Sequence, residues 1–214
     1  QHTFAMLFYL LEKLPYYDRY VKDEKYIGDK MFTHFDKHFG ELAKMTWGII
    51  GLGNIGKRVA DIAKAFGCRV IYYSTSGRNS QPGYERVSFE ELLKESDIVS
   101  VHAPLDENTL DLMNKEAFHQ MKKTAIFLNL GRGPIVVEED LAEALEQDEI
   151  AAAGLDVLRV EPMSPENPLR RIKDSEKLLI TPHIAWASVE ARTRLMEIIC
   201  GQIQEFFSNG SPES

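Results

Sequence analysis

Thr46-Trp47-Gly48-Ile49-Ile50-Gly51-Leu52-Gly53-Asn54-Ile55-Gly56 is the stretch that decides how this chain folds. A short apolar run ends in Gly-x-Gly-x-x-Gly, and Val59, Ile62 and Ala63 follow at helical spacing. Alone, the glycine pattern is common; between a strand and a helix it has a mechanism. Gly51 allows the tight turn, and Gly53 lets backbone amides approach a pyrophosphate. Gly56 lets helix and strand pack closely, and the helix dipole favours the phosphate charge. The turn from Gly51 through Asn54 and Ile55 to Gly56 is therefore read as a dinucleotide cradle.

From Thr46 onward, short apolar runs alternate with helical patterns. Strands are expected at 46–51, 69–73, 97–101, 124–129, 151–156 and 178–181, most of them apolar on both faces. Helices are expected at 55–66, 89–94, 115–121, 138–147 and 189–207. Ser88-Phe89-Glu90-Glu91 is a capping box, and Glu138, Glu139 and Asp140 put negative charge at the start of another helix. About six strands with intervening helices imply an α/β, Rossmann-type, doubly wound parallel sheet. Ligands of such sheets bind beyond the carboxyl ends of the strands.

Residues 1–45 read as a helical arm before a dinucleotide-binding domain at 46–210. A helix from Thr3 to about Lys25 leads into an irregular stretch holding Phe32, Phe35 and Phe39. Two destinations are open for these aromatics: a surface absent here, such as a sister subunit, or the chain's own sheet. The tail from Ser208 reads as frayed.

The 214 residues are 44% hydrophobic and 27% charged, enough apolar material for a core and too much for a disordered chain. A net charge of −8 argues against nucleic acid as a partner. Cys68 and Cys200 have no metal spacing and make no disulfide framework, which points to a reducing, cytoplasmic compartment. No apolar run reaches the roughly 18 residues that span a bilayer. Phe4–Leu11 lacks the flanks of a signal peptide. The first residue is Gln1, within a helix already under way, so the chain reads as a piece of a longer protein.

At the ribose position, roughly 20 residues past the glycines, stand Ser74, Thr75, Ser76, Gly77 and Arg78, with no acid. Hydroxyls and an arginine suit a 2′-phosphate that a carboxylate would repel, so the cofactor expected is NADP in preference to NAD. Three ionisable residues follow three late strands: Arg132, Glu161 and His183. Singly, each is ordinary for a solvated loop. Together they suit hydride exchange with a 2-oxo acid: histidine to protonate the carbonyl oxygen, a carboxylate to fix its tautomer, arginine to clamp the substrate carboxylate.

With these residues in place, the sequence resembles the NAD(P) domain of the D-isomer-specific 2-hydroxyacid dehydrogenases over nearly its whole length. The carriers are the glycine stretch, Val101-His102-Ala103-Pro104-Leu105, Asn129-Leu130-Gly131-Arg132-Gly133, Gly154-Leu155-Asp156-Val157 through Glu161-Pro162, and Thr181-Pro182-His183-Ile184-Ala185. The resemblance implies His183 as acid/base, Glu161 as its partner and Arg132 as substrate anchor. It implies Asp156 near the nicotinamide carboxamide, a loop of His102, Ala103 and Pro104 with Thr109 past the adenosine half, and Leu130, Gly131 and Ala185 at the cofactor. It further implies a homodimer formed through the opening helix, and a separate substrate domain largely absent from this chain. Glu161–Leu169 and Pro182–Arg192 look most like the glycerate dehydrogenase (hydroxypyruvate reductase) branch, with glyoxylate as another substrate.

Two rivals come from other classes. One is a non-enzymatic dinucleotide sensor acting through protein contacts, against which the retained Arg132, Glu161 and His183 speak. The other is a metal enzyme using His34 and His38, four apart; no glutamate follows His34 and no third ligand is near, so no metal is expected.

Overall fold

β1 (Thr46–Ile50) is covered on both faces: Trp47 and Ile49 pack into one layer of the core and Ile50 into the other. That double burial is why successive residues of the strand are apolar. Seven strands form one parallel sheet among the residues that this computed structural model describes, 1–78 and 80–208. After β1 come β2 (Arg69–Tyr73), β3 (Glu85–Arg86), β4 (Ile98–Val101), β5 (Ile126–Asn129), β6 (Ala152–Leu155) and β7 (Leu178–Ile180). Their spatial order is β3-β2-β1-β4-β5-β6-β7. The chain steps outward from β1 to β3, then returns to the other side of β1 with β4. At such a reversal, between β1 and β4, loops leave the carboxyl edge in opposite directions and a crevice opens.

The sheet is the doubly wound α/β fold the sequence implies, with one strand more than the six expected. β3 is two exposed polar residues paired with Ile71 and Tyr72 of β2. It has no apolar run for a pattern to detect. The domain end expected at residue 210 lies outside the described residues.

The described helices are α1 (His2–Leu11), α2 (Leu14–Lys22), α3 (Asn54–Ala65), α4 (Phe89–Glu95), α5 (Lys115–Gln120), α6 (Glu138–Glu146) and α7 (Val189–Ser208). α1 and α3 cover one face of the sheet with Phe4, Met6, Leu7, Leu10, Val59, Ala60 and Ala63. α4, α5 and α6 cover the other with Leu92, Leu93, Ala117, Phe118, Leu141 and Leu145. Ser88 caps α4 as its sequence implies, its hydroxyl accepting from the Glu91 amide at 3.1 Å.

The single helix expected over 3–25 is two. Pro15 has no N–H for the Leu11 carbonyl, and its ring would strike that carbonyl in a continuous helix. The chain instead turns at Lys13, φ 54, and restarts. The two parts go to different places. α1 folds onto its own sheet, with Met6 and Leu10 over Gly154 of β6. α2 has no buried residue, and the stretch after it exposes Ile27, Met31, Phe32, Phe35 and Phe39.

The chain divides into two compact units, Gln1–Pro182 and a second that begins at His183. The first holds the whole sheet. The second contains a turn closed by the Ala187 amide on the Ile184 carbonyl (2.9 Å), then α7, whose first turn is capped by the Ser188 hydroxyl.

Beneath the carboxyl end of β4, the buried Ser100 hydroxyl accepts from the Trp47 indole at 2.9 Å. Its own proton is then free for Nε2 of His102, 3.1 Å away, which leaves the imidazole hydrogen on Nδ1. Burial pushes the His102 imidazole down to about 4, so the ring is neutral at physiological pH.

Two outcomes follow from this packing. Leu10→Ala removes a fully buried side chain from beneath α1 and is expected to cost about 2–5 kcal/mol in urea unfolding; a loss under 1 kcal/mol would make α1 a detachable arm. For His102, the folded state binds its proton less readily than the unfolded chain. Stability should therefore be full above pH about 6.5 and fall toward pH 4, by up to about 3 kcal/mol. His102→Gln should flatten that part of the pH–stability curve, and an unchanged slope would refute the neutral ring.

Candidate functional site

Gly51 leaves β1 with φ +91, and a Cβ there would stand 2.7 Å from the backbone of Ala103. Its amide donates to the Tyr73 carbonyl at 3.1 Å, and the His102 amide donates to the Ile50 carbonyl at 2.8 Å. The glycine turn is thus locked between the ends of β2 and β4. Gly56 is equally confined, since a Cβ would lie 2.3 Å from the Gly51 carbonyl oxygen. Gly53 differs. Its φ is −81, and a Cβ would meet nothing within 4 Å. Neither backbone nor packing demands glycine there, whereas a phosphate drawn up to the turn would. Gly53 opens α3 with no side-chain cap, and Asn54 and Ile55 are exposed beside it. The first amides of the helix are left for a ligand, and the turn fits the pyrophosphate of a dinucleotide.

Next to this turn, the residues after β2 form a second one, closed by the Gly77 amide on the Ser74 carbonyl (3.0 Å). Ser74 is buried, Thr75 half-buried, and Ser76 and Arg78 exposed. On the other side, Ala103 is buried against Gly51 and Pro104 is exposed. Thr109 faces inward: its hydroxyl accepts from the Asp106 amide and donates to the Pro104 carbonyl, both at 2.8 Å. It shapes the loop from within.

The loop after β5 is built on Asn129. Its side-chain carbonyl accepts from the Gly131 amide and its Nδ2 donates to the Arg132 carbonyl, both at 3.0 Å. Leu130 is half-buried and Gly131 buried, while Arg132 is exposed with Nη1 on the Gly131 carbonyl at 2.8 Å. The next residue, Gly133, meets the following loop so closely that a Cβ would stand 1.9 Å from the Leu158 carbonyl oxygen. The loops that carry Arg132 and Glu161 are therefore in contact. Glu161 Oε1 accepts from the Leu158 amide at 2.7 Å.

Asp156, at the end of β6, is buried and accepts from the Thr181 hydroxyl at 2.6 Å; His2 Nε2 lies 3.5 Å away. His183 opens the second unit with φ 54, and Ala185 lies in the turn after it. Of the expected catalytic trio, the first unit thus brings the loops of Arg132 and Glu161 together. His183 follows β7, the next strand in the sheet, within the second unit.

Sequence reasoning missed four residues here. Asn129 ends the apolar run of β5 and reads from the sequence as strand alone. Glu138 read as a charge for the helix dipole; it is a buried carboxylate accepting from the Arg159 amide (2.7 Å) and the Asn167 side chain (2.8 Å). Thr181 stands in a motif of the resemblance without a role of its own, and its meeting with His2 at Asp156 carries no signal short of the fold itself. His34 and His38 do not lie on a helix. The His34 ring stacks on Tyr20 at 3.9 Å, and Nε2 meets the Tyr16 hydroxyl at 2.8 Å.

Comparison with known proteins accords with this layout. Residues 4–185 match the family model described as D-isomer specific 2-hydroxyacid dehydrogenase, NAD binding domain. The chain is 37% identical to a hydroxypyruvate reductase of Blautia hydrogenotrophica, over 99% of this chain and 65% of that one. It is 39% identical to a glyoxylate reductase of Korarchaeum cryptofilum, over 95% and 61%. Among solved structures, a D-lactate dehydrogenase of Aquifex aeolicus complexed with NAD and lactic acid aligns with a TM-score of 0.87 at 28% identity, covering 97% of this chain and 65% of that one. The chain spans just under two thirds of the length of these curated relatives. With the family model matched over most of its length, the chain belongs to the D-isomer specific 2-hydroxyacid dehydrogenase family, as its NAD binding domain.

Proposed function

We propose that this chain is the cofactor-binding, catalytic half of an oxidoreductase that exchanges hydride between a nicotinamide dinucleotide and a small 2-hydroxy or 2-oxo acid. The observation that carries the reading is the adjacency of β5, β6 and β7 in one parallel sheet, with Arg132, Glu161 and His183 in the segments that follow them, together with a glycine turn after β1 whose middle residue is open to a ligand. The bound cofactor would supply or accept the hydride. Arg132 pairs with the substrate carboxylate, its planar fork matching the two oxygens. His183 delivers a proton to the carbonyl oxygen during reduction and withdraws it during oxidation. Glu161, with one oxygen tied to the Leu158 amide, is the carboxylate that would orient the imidazole. Asp156 accepts from the nicotinamide carboxamide, and the loop His102–Pro104, braced by Thr109, passes the adenosine half.

The substrates we propose are hydroxypyruvate or glyoxylate, after the resemblance in Glu161–Leu169 and Pro182–Arg192 and the names of the relatives above. The cofactor is NADP in preference to NAD, on Ser74–Ser76 and Arg78. A homodimer would cover the aromatics exposed after α2, namely Phe32, Phe35 and Phe39.

The test begins with this chain and a titration with NADPH and NADH. Binding of either is expected, with NADPH the tighter; binding of neither would end the reading. In the intact enzyme, His183→Gln should lower kcat for hydroxypyruvate or glyoxylate by about 100-fold or more. Near-normal turnover would remove His183 as the acid/base.

A further inference from the structure

β3 is the strand the sequence conceals, and it delivers a residue to the carboxyl edge. Arg86 pairs in register with Tyr72 of β2, and the Val87 amide continues the ladder onto the Tyr72 carbonyl at 3.0 Å. Arg86 therefore ends β3 level with the end of β2, where the 74–78 turn begins. Its guanidinium reaches that turn: Nη2 donates to the Gly77 carbonyl at 2.9 Å.

The charge around it is unusual for so acidic a protein. Arg69, at the opposite end of β2, is neutralised by Glu85 and Glu95. Arg86 forms no ion pair among the described residues, and neither does Arg78. From Tyr73 to Tyr84 the sequence has no Asp or Glu at all. In a chain of net charge −8, two uncompensated guanidinium groups thus serve one turn lined by Ser74, Thr75 and Ser76. Like charges brought to one place raise the free energy of the empty protein, and a dianion relieves it.

We propose that Arg86 is a positioning and specificity-determining residue for the 2′-phosphate of NADP. It pins the Gly77 carbonyl, fixing the turn from which Ser76 and Arg78 project, and adds a second positive charge that the ribose of NAD cannot use. This rests on the NADP reading above. The selectivity then belongs to two segments far apart in sequence, the turn after β2 and the end of β3.

The experiment titrates this chain and two variants, Arg86→Gln and Arg86→Lys, with NADPH and NADH by cofactor fluorescence. Arg86 is exposed, and a melting curve reports whether each variant is folded. Arg86→Gln should weaken NADPH about tenfold while NADH moves by less than about twofold, and Arg86→Lys should recover most of the loss. The NADPH affinity of the unmodified chain should also fall more steeply with salt than that of Arg86→Gln. Equal weakening of both cofactors would make Arg86 a structural strut, and no weakening would make it a bystander; either overturns the proposal. If the unmodified chain binds NADH more tightly, the NADP reading fails and the role of Arg86 with it. That outcome is read before any variant is examined.

Discussion

One close approach of two backbones is what the architecture of the sheet depends on. β1 and β4 are neighbours whose following loops leave in opposite directions, and the backbones of Gly51 and Ala103 meet where they part. A methyl group on Gly51 would stand 2.7 Å from two backbone atoms of Ala103, nearer than atoms in real structures tolerate. Gly56 repeats the demand in the first turn of α3, against the Gly51 carbonyl. These contacts bring α3 down onto the end of β1 and leave its first amides facing outward over the crevice. The candidate phosphate cradle is thus made by the absence of side chains, and its depth is set by backbone packing that no side-chain rotation can relax.

The other half of the edge is made in the opposite way, by side chains that hold loops. Asn129 folds the β5 loop back on itself. Glu138, inside the first turn of α6, reaches across to the Arg159 amide and the Asn167 side chain. Burying a carboxylate is costly unless its oxygens are satisfied, and here each has a donor. The result ties three elements to one group: the start of α6, the loop that bears Glu161, and the turn near Asn167. The Glu161 carboxylate then closes its own loop onto the Leu158 amide, while Gly133 lets the preceding loop press against the Leu158 carbonyl.

How much of this the sequence discloses follows from which forces write themselves into residue order. The strands buried on both faces are legible because burial selects runs of apolar residues, and the capped start of α4 because Ser88 and Glu91 have no comparable use elsewhere. β3 is silent, since an exposed edge pair such as Glu85 and Arg86 gains its place from the neighbour alone. The break at Lys13 was written in Pro15, but apolar periodicity on either side masks it. The partnership of His2 and Thr181 at Asp156 spans 179 residues and exists only once α1 has docked on the sheet. Glu138 is the instructive case. Acid at a helix start is an ordinary sight, and nothing local distinguishes a charge that solvates the dipole from one that turns inward to hold a loop.

The two construction methods give the two sides of the sheet edge different freedoms. On the side of β1, β2 and β3, the edge offers an open backbone turn and charges that sit at the surface. Those charges can be exchanged without disturbing a packed group. On the side of β5 and β6, the loops with Arg132 and Glu161 are wedged against each other and anchored to a buried carboxylate, so a change in one moves the next. Under the NADP reading proposed above, single substitutions at this surface would shift cofactor preference, because the preference rests on charges presented by exposed groups. The loops of Arg132 and Glu161 give less, because the close approach of Gly133 to Leu158 and the bonds to the Glu138 carboxylate tie them to packed neighbours.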